Sequence, residues 1–157
     1  MEETQTTSLA IASNDLSVNL FRKDANGTQK ITSLDMEDPE QQDMYLNAKG
    51  DNVEYLKDHK DEELTIIGCV LTEREVEDID DDTGEVRIYK KHSMTLFDEK
   101  GIAYVTGSNR AYNSFTELVA IKRCLPTKEN PMRIKAIGQQ ANEKGHEWLV
   151  IVPVKVK

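Results

Sequence analysis

The chain has 157 residues, 38% hydrophobic and 31% charged, with a formal net charge of −9. This length fits one domain that can bury a core without disulfides or a structural metal. No window approaches the roughly 18 apolar residues that a membrane span needs. The start MEETQTTSLA has no basic region and no long apolar run, so no signal peptide is expected.

In chain order, residues 1–13 read as a flexible N-terminus rich in Thr, Ser, Ala and Glu. LSVNLFR (16–22) alternates Leu16, Val18 and Leu20 with polar neighbours, which predicts a half-buried strand. Asn26-Gly27 predicts a hairpin turn, and QKITSL a second strand. MEDPEQQDMYLNAKGD predicts a short helix with Asp38 as its cap, Pro39 at its first position and Gly50 at its end. The β-branched run ELTIIGCVLTEREVE reads as a long strand, DDDTGE as a turn and VRIYKKHSMTLFD as the returning strand. After EKG, IAYVTGS completes a three-strand antiparallel meander. NRAYNSFTELVAIKRCL has helical spacing, with Tyr112, Phe115, Leu118, Val119 and Lys122 around one side, and Pro126 and Pro131 punctuate its exit. MRIKAIGQQ and HEWLVIVPVKV form a terminal hairpin through ANEKG, with Gly145 in the turn. The expectation is a mainly β, α+β protein over residues 14–157, with an inserted segment at about 36–62. Its helix falls between strands three and four of the five main strands, which suits a small Greek-key barrel of the oligonucleotide-binding type.

Catalytic constellations are thin. His59, His92 and His146 are scattered, with no metal-ligand spacing. DIDDD fails as a calcium loop, because its glycine comes one residue late and Tyr89 stands where a bidentate Glu is required. Cys69 and Cys124 sit in apolar settings and read as small hydrophobes in a reducing compartment. No catalysis, metal or cofactor is expected.

The charge is unevenly spread. Residues 1–82 hold 22 acids and 7 bases, a balance of −15, and residues 83–157 hold 7 acids and 13 bases, a balance of +6. Such asymmetry points to an interaction surface. The basic half opens on RIYKKH, residues 87–92. Strand alternation places Arg87, Tyr89 and Lys91 on one face, and Ile88 with Met94 and Leu96 on the other, the expected core side. A flat aromatic between two cations can stack a base and neutralise phosphates, though an outward Tyr also serves as sheet filler. Tyr104, Trp148, Lys135 and Lys144 complete the candidate nucleic-acid contacts, while Tyr112, Phe115, Phe21 and Phe97 read as packing. The opposite reading takes the acidic run EREVEDIDDD (73–82) as the working surface of a protein-binding or DNA-mimicking module.

MTLFDEKGIAYVTGS, the helix with Ala111 and Leu118, the basic strand MRIKAIGQ and the Lys144-Gly145 turn keep the order of motifs found in a known family. Together with the opening VNLFRKDANGTQKITSL, about two-thirds of the chain resembles the single-stranded-DNA-binding proteins of small protein-primed tailed phages. The resemblance implies an oligonucleotide-binding barrel that coats displaced strands during phage DNA replication, in the host cytoplasm, with replication proteins as further partners. It also implies a base contact at Tyr104. The 36–62 segment and the acidic hairpin depart from that family's pattern.

Overall fold

The computed structural model describes residues 19–21, 28–50, 52–140 and 147–154. Its strands are β1 Asn19–Phe21, β2 Gln29–Thr32, β3 Val53–Tyr55, β4 Leu64–Ile79, β5 Val86–Asp98, β6 Ala103–Thr106, β7 Met132–Gln140 and β8 Glu147–Pro153. Helix α1 spans Pro39–Ala48, helix α2 spans Asn109–Lys122, and a 3₁₀ turn covers Leu56–His59. The protein is therefore mainly β, with one curled mixed sheet and two helices. Among the described residues no helix is long and apolar enough to cross a membrane. The Asn26-Gly27 turn, the Gly145 turn, Lys144 and the first 13 residues lie outside the described residues.

Local chemistry explains most of these elements. The Asp38 carboxylate caps α1 by accepting the Glu40 amide, and Pro39 occupies the first helical position, where no amide partner is needed. Ser108 caps α2 by accepting the Ala111 amide at 3.1 Å. The meander β4–β5–β6 and the hairpin β7–β8 form as their alternation predicts. β3 is an exception: three residues pair in parallel with β6, a long-range contact that no local pattern announces.

β4 organises the sheet. β5 runs along one of its edges from Ile66 to Ile79. Its other edge is divided, with β7 on Leu64–Ile66 and β2 on Val70–Glu73. The division falls at an irregularity between Ile66 and Gly68. A Cβ built on Gly68 would overlap the side chain of the fully buried Leu34, so glycine allows that close approach. A bulge at this point bends the strand, and the sheet curls into a half-barrel.

Each face of the curl has its own packing. The inner face, including Ile66, Leu71, Met94 and Leu96, packs against Tyr112, Phe115 and Val119 of α2. On the outer face, Val70, Phe97 and Ala103 lie under Leu34, Met44 and Tyr45, so the α1 segment covers one end of that face. Fully burying a Leu or Phe side chain contributes roughly 1.5–3 kcal/mol, so α2 is held mainly by this contact, while Met44 and Tyr45 of α1 are only partly buried.

Candidate nucleic-acid interface

Beyond the Glu73–His92 pair, β4 and β5 continue alone as a two-stranded arm. Six paired positions run from Arg74 opposite Lys91 to Ile79 opposite Val86, which extends roughly 20 Å. Among the described residues no other strand pairs with this part. The turn is closed by the Asp80 amide donating to the Glu85 carbonyl at 2.9 Å, with Asp80 Oδ1 accepting the Asp82 amide at 2.8 Å. Gly84 adopts φ +73° there, a conformation that favours glycine.

An isolated two-stranded ribbon is marginal in water, so its root matters. Glu73 is buried and lies 3.0 Å from His92 Nε2 and 3.4 Å from Lys90 Nζ. The His92 ring stacks on Tyr112 at 4.3 Å, and its Nδ1 lies 3.3 Å from Asn109 Oδ1. These contacts tie the root of the arm to the first turn of α2.

Alternation sorts the charges of the arm onto two faces. The outer face carries Arg74, Val76 and Asp78 from β4 beside Lys91, Tyr89 and Arg87 from β5. The inner face carries Glu75, Glu77 and Ile79 beside Lys90, Ile88 and Val86. Arg74 stands directly across from Lys91, an arrangement that is unfavourable without an anion. Among the described residues neither has a carboxylate partner. Arg87 lies 3.9 Å from Asp78, but both side chains are well exposed and the pair is weak. Tyr89, opposite Val76, is 45% exposed.

The same face continues toward α1. Lys30 stands across from Thr72. A shallow groove of about 110 Å³ there is lined by Lys30, Tyr45, Lys49, Thr72 and Thr95, among others. Lys49 Nζ sits 5.2 Å from the Tyr45 ring centroid. A flat aromatic followed by four cations along one sheet face is suited to a polyanion that carries stackable rings.

Of the expected contacts, the structure brings Arg87, Tyr89 and Lys91 together and sets Tyr104, Lys135 and Trp148 apart from them, while Lys144 lies outside the described residues. Tyr104 does not belong with them. It stands opposite Leu96 on the inner face, is 4% exposed, and donates its hydroxyl to Asp98 Oδ2 at 2.8 Å. Burial, and then the Asp98 carboxylate, push its phenol well above the ordinary value of 10. Tyr104 is a core residue, and its ring offers no face to a base. Ile88 is corrected the other way: it shares its face with Met94 and Leu96 but is 63% exposed, because the core ends at His92. Lys135 lies on β7, which meets β4 at the end away from the arm. Trp148 is half-buried on β8, with the Arg110 guanidinium carbon 3.3 Å from its ring centroid.

Sequence reasoning left out Arg74, Lys30 and Lys49. The cross-strand register, countable outward from the DDDTGE turn, carried the signal for Arg74. Lys30 and Lys49 reach this face only through the β2–β4 pairing and the docking of α1. Cys69 is buried, and burial pushes its thiol up to about 12, which keeps it an unreactive core residue. Among the described residues no group of three His, Cys, Asp or Glu side chains is placed to hold a metal ion. No protein-family model, curated protein or solved structure matches the chain.

Proposed function

We propose that the protein binds single-stranded DNA with little sequence preference, coating displaced strands during phage DNA replication by stacking and phosphate contact, without catalysis. One observation carries this reading above the others. The outer face of the arm gathers Arg74, Lys91 and Arg87 around an exposed Tyr89, with only Asp78 to oppose them. The chain order β4–β5–β6–α2–β7–β8, with β7 returning to the first part of β4, supports a five-strand Greek-key barrel of the oligonucleotide-binding type at the heart of the fold. The resemblance of residues 63–157 to phage single-stranded-DNA-binding proteins points the same way. On this reading the whole chain's acidity repels nonspecific partners while the local basic face makes the contact.

The experiment is a titration of labelled oligo-dT followed by anisotropy at several salt concentrations. Three or four phosphates on Arg74, Lys91, Arg87 and Lys30 correspond to a log–log salt slope of roughly −2 to −3. A slope near zero, or no binding at micromolar protein in low salt, excludes this function.

A second reading has its own observation. The tip and inner face of the arm gather Glu75, Glu77, Asp80, Asp81, Asp82 and Glu85, all of them exposed. That surface suits an acidic module that engages a basic protein in place of DNA. Charge reversal at Asp80, Asp81 and Asp82 separates the two: it abolishes the acidic module's activity and spares or strengthens DNA binding.

A further inference from the structure

The arm is not the only place where aromatic rings and cations meet. Among the described residues β6 and β8 do not pair with each other. The first half of α2 lies against the free edge of β8, where Ser114 Oγ accepts the Ile151 amide at 2.8 Å. A cleft of about 380 Å³ opens at this seam, within the range of small-molecule pockets, roughly 300–1,000 Å³. Its lining includes Tyr55, Lys57, Thr106, Ser108 and Trp148.

Each aromatic wall carries its own cation. Tyr55 is 59% exposed, with Lys57 Nζ 5.5 Å from its ring centroid. Trp148 carries the Arg110 guanidinium over its ring. Among the described residues neither Lys57 nor Arg110 has a carboxylate partner, and the nearby Glu54 and Glu62 are both engaged by His59. Gly107 also lines the cleft, and a Cβ there would meet no atom within 4 Å. Two aromatic walls, the Lys57 ammonium and the hydroxyls of Thr106 and Ser108 line the cleft, with Arg110 stacked on the Trp148 ring, and this set matches a flat ring joined to an anion.

We propose that this cleft takes one nucleotide unit, its base beside the rings of Tyr55 and Trp148 and its phosphate against Lys57. The choice of a nucleotide among aromatic anions rests on the nucleic-acid reading of the arm, but the residues are separate from it. The unit is either part of a bound strand or a free nucleotide, and the chemistry of recognition is the same.

Trp148 is the single tryptophan of the chain, so its emission reports on this cleft alone. The test follows Trp148 emission in the full chain during titration with oligo-dT and, separately, with thymidine monophosphate. Anisotropy of labelled oligo-dT is measured in parallel. The expected result is a saturable change in Trp148 emission. Lys57→Ala weakens it about two- to fivefold, and Tyr55→Ala weakens it about fivefold or more. Gly107→Leu adds bulk beside the cleft without backbone strain and blocks the change, and thermal unfolding checks that each variant folds. If oligo-dT binds by anisotropy while Trp148 emission stays constant and Gly107→Leu binds like the parent, the cleft proposal falls and the arm reading stands. A response to the mononucleotide without any oligo-dT binding has the opposite meaning: the cleft takes a free nucleotide and the strand-binding function falls. Silence in both assays removes both.

Discussion

At the residue scale, the two tyrosines of the expected site separate by environment. Tyr89 is exposed on the arm, so Tyr89→Ala should weaken oligo-dT binding by the loss of one stacked base, about 1–3 kcal/mol. Its unfolding midpoint in urea should stay that of the parent. Tyr104 should behave in the opposite way. Tyr104→Phe removes the hydroxyl that donates to Asp98 inside the core, which should cost about 1–3 kcal/mol of stability, with oligo-dT affinity unchanged. A loss of affinity in Tyr104→Phe at full stability would contradict this assignment. Strand alternation in the sequence separates the two faces of β5, but it does not say which of two tyrosines on successive strands meets the core. That depends on the β5–β6 register, which sets Tyr104 against Leu96.

A residue-scale pH dependence also follows. His59 bridges two carboxylates, with Nδ1 3.1 Å from Glu62 Oε2 and Nε2 2.5 Å from Glu54 Oε1. The Glu62 hydrogen bond first, and Glu54 with it, raise the His59 pKa above the ordinary 6.5. A raised histidine stabilises the fold fully below its unfolded pKa, and this contribution is lost as pH climbs through the folded value. Urea midpoints should therefore fall as pH rises above 6.5, and His59→Gln should flatten that part of the profile. An unchanged profile in His59→Gln would show that the histidine contributes no such linkage.

At the element scale, β4 joins the core to the arm. Its first half bends at Gly68 and its second half leaves the core as the arm. Gly68→Ala should destabilise the protein by about 1–3 kcal/mol through overlap with Leu34. Leu34→Ala in the same chain should recover part of that loss, and urea unfolding of the three variants measures it. The root of the arm should respond separately. Removing the buried carboxylate with Glu73→Gln weakens the tie to Lys90 and His92, so amides of the arm should exchange faster while those of the core keep their protection. Equal acceleration throughout would mean that the arm and core open as one unit.

The elements themselves were largely legible. Apolar alternation marks β4, β5, β7 and β8, the Asp38-Pro39 pair marks the start of α1, and helical spacing marks α2. Burial was less so. Ile88 has the alternation of a core residue, yet the covering helix begins near His92 and leaves Ile88 in solvent. A sequence pattern tells which side of a strand a residue takes, and only tertiary packing tells how far along the strand that side is covered.

At the scale of the whole molecule, an acidic chain keeps a basic surface because a two-stranded arm sorts its charges by face. Arg87, Tyr89 and Lys91 were legible from the spacing within one strand. Arg74 needed the pairing of two strands, Lys30 and Lys49 needed β2 and α1, and the seam cleft needed β3, β6, α2 and β8 together. The more elements a site draws on, the less of it one segment of sequence can show. Anisotropy of labelled oligo-dT with the two faces of the arm reversed in turn tests the central claim most directly. The account predicts that Arg74→Glu with Lys91→Glu abolishes binding at moderate salt, while Glu75→Lys with Glu77→Lys preserves or tightens it. Equal effects from both pairs, or a loss only from the inner-face pair, would contradict it.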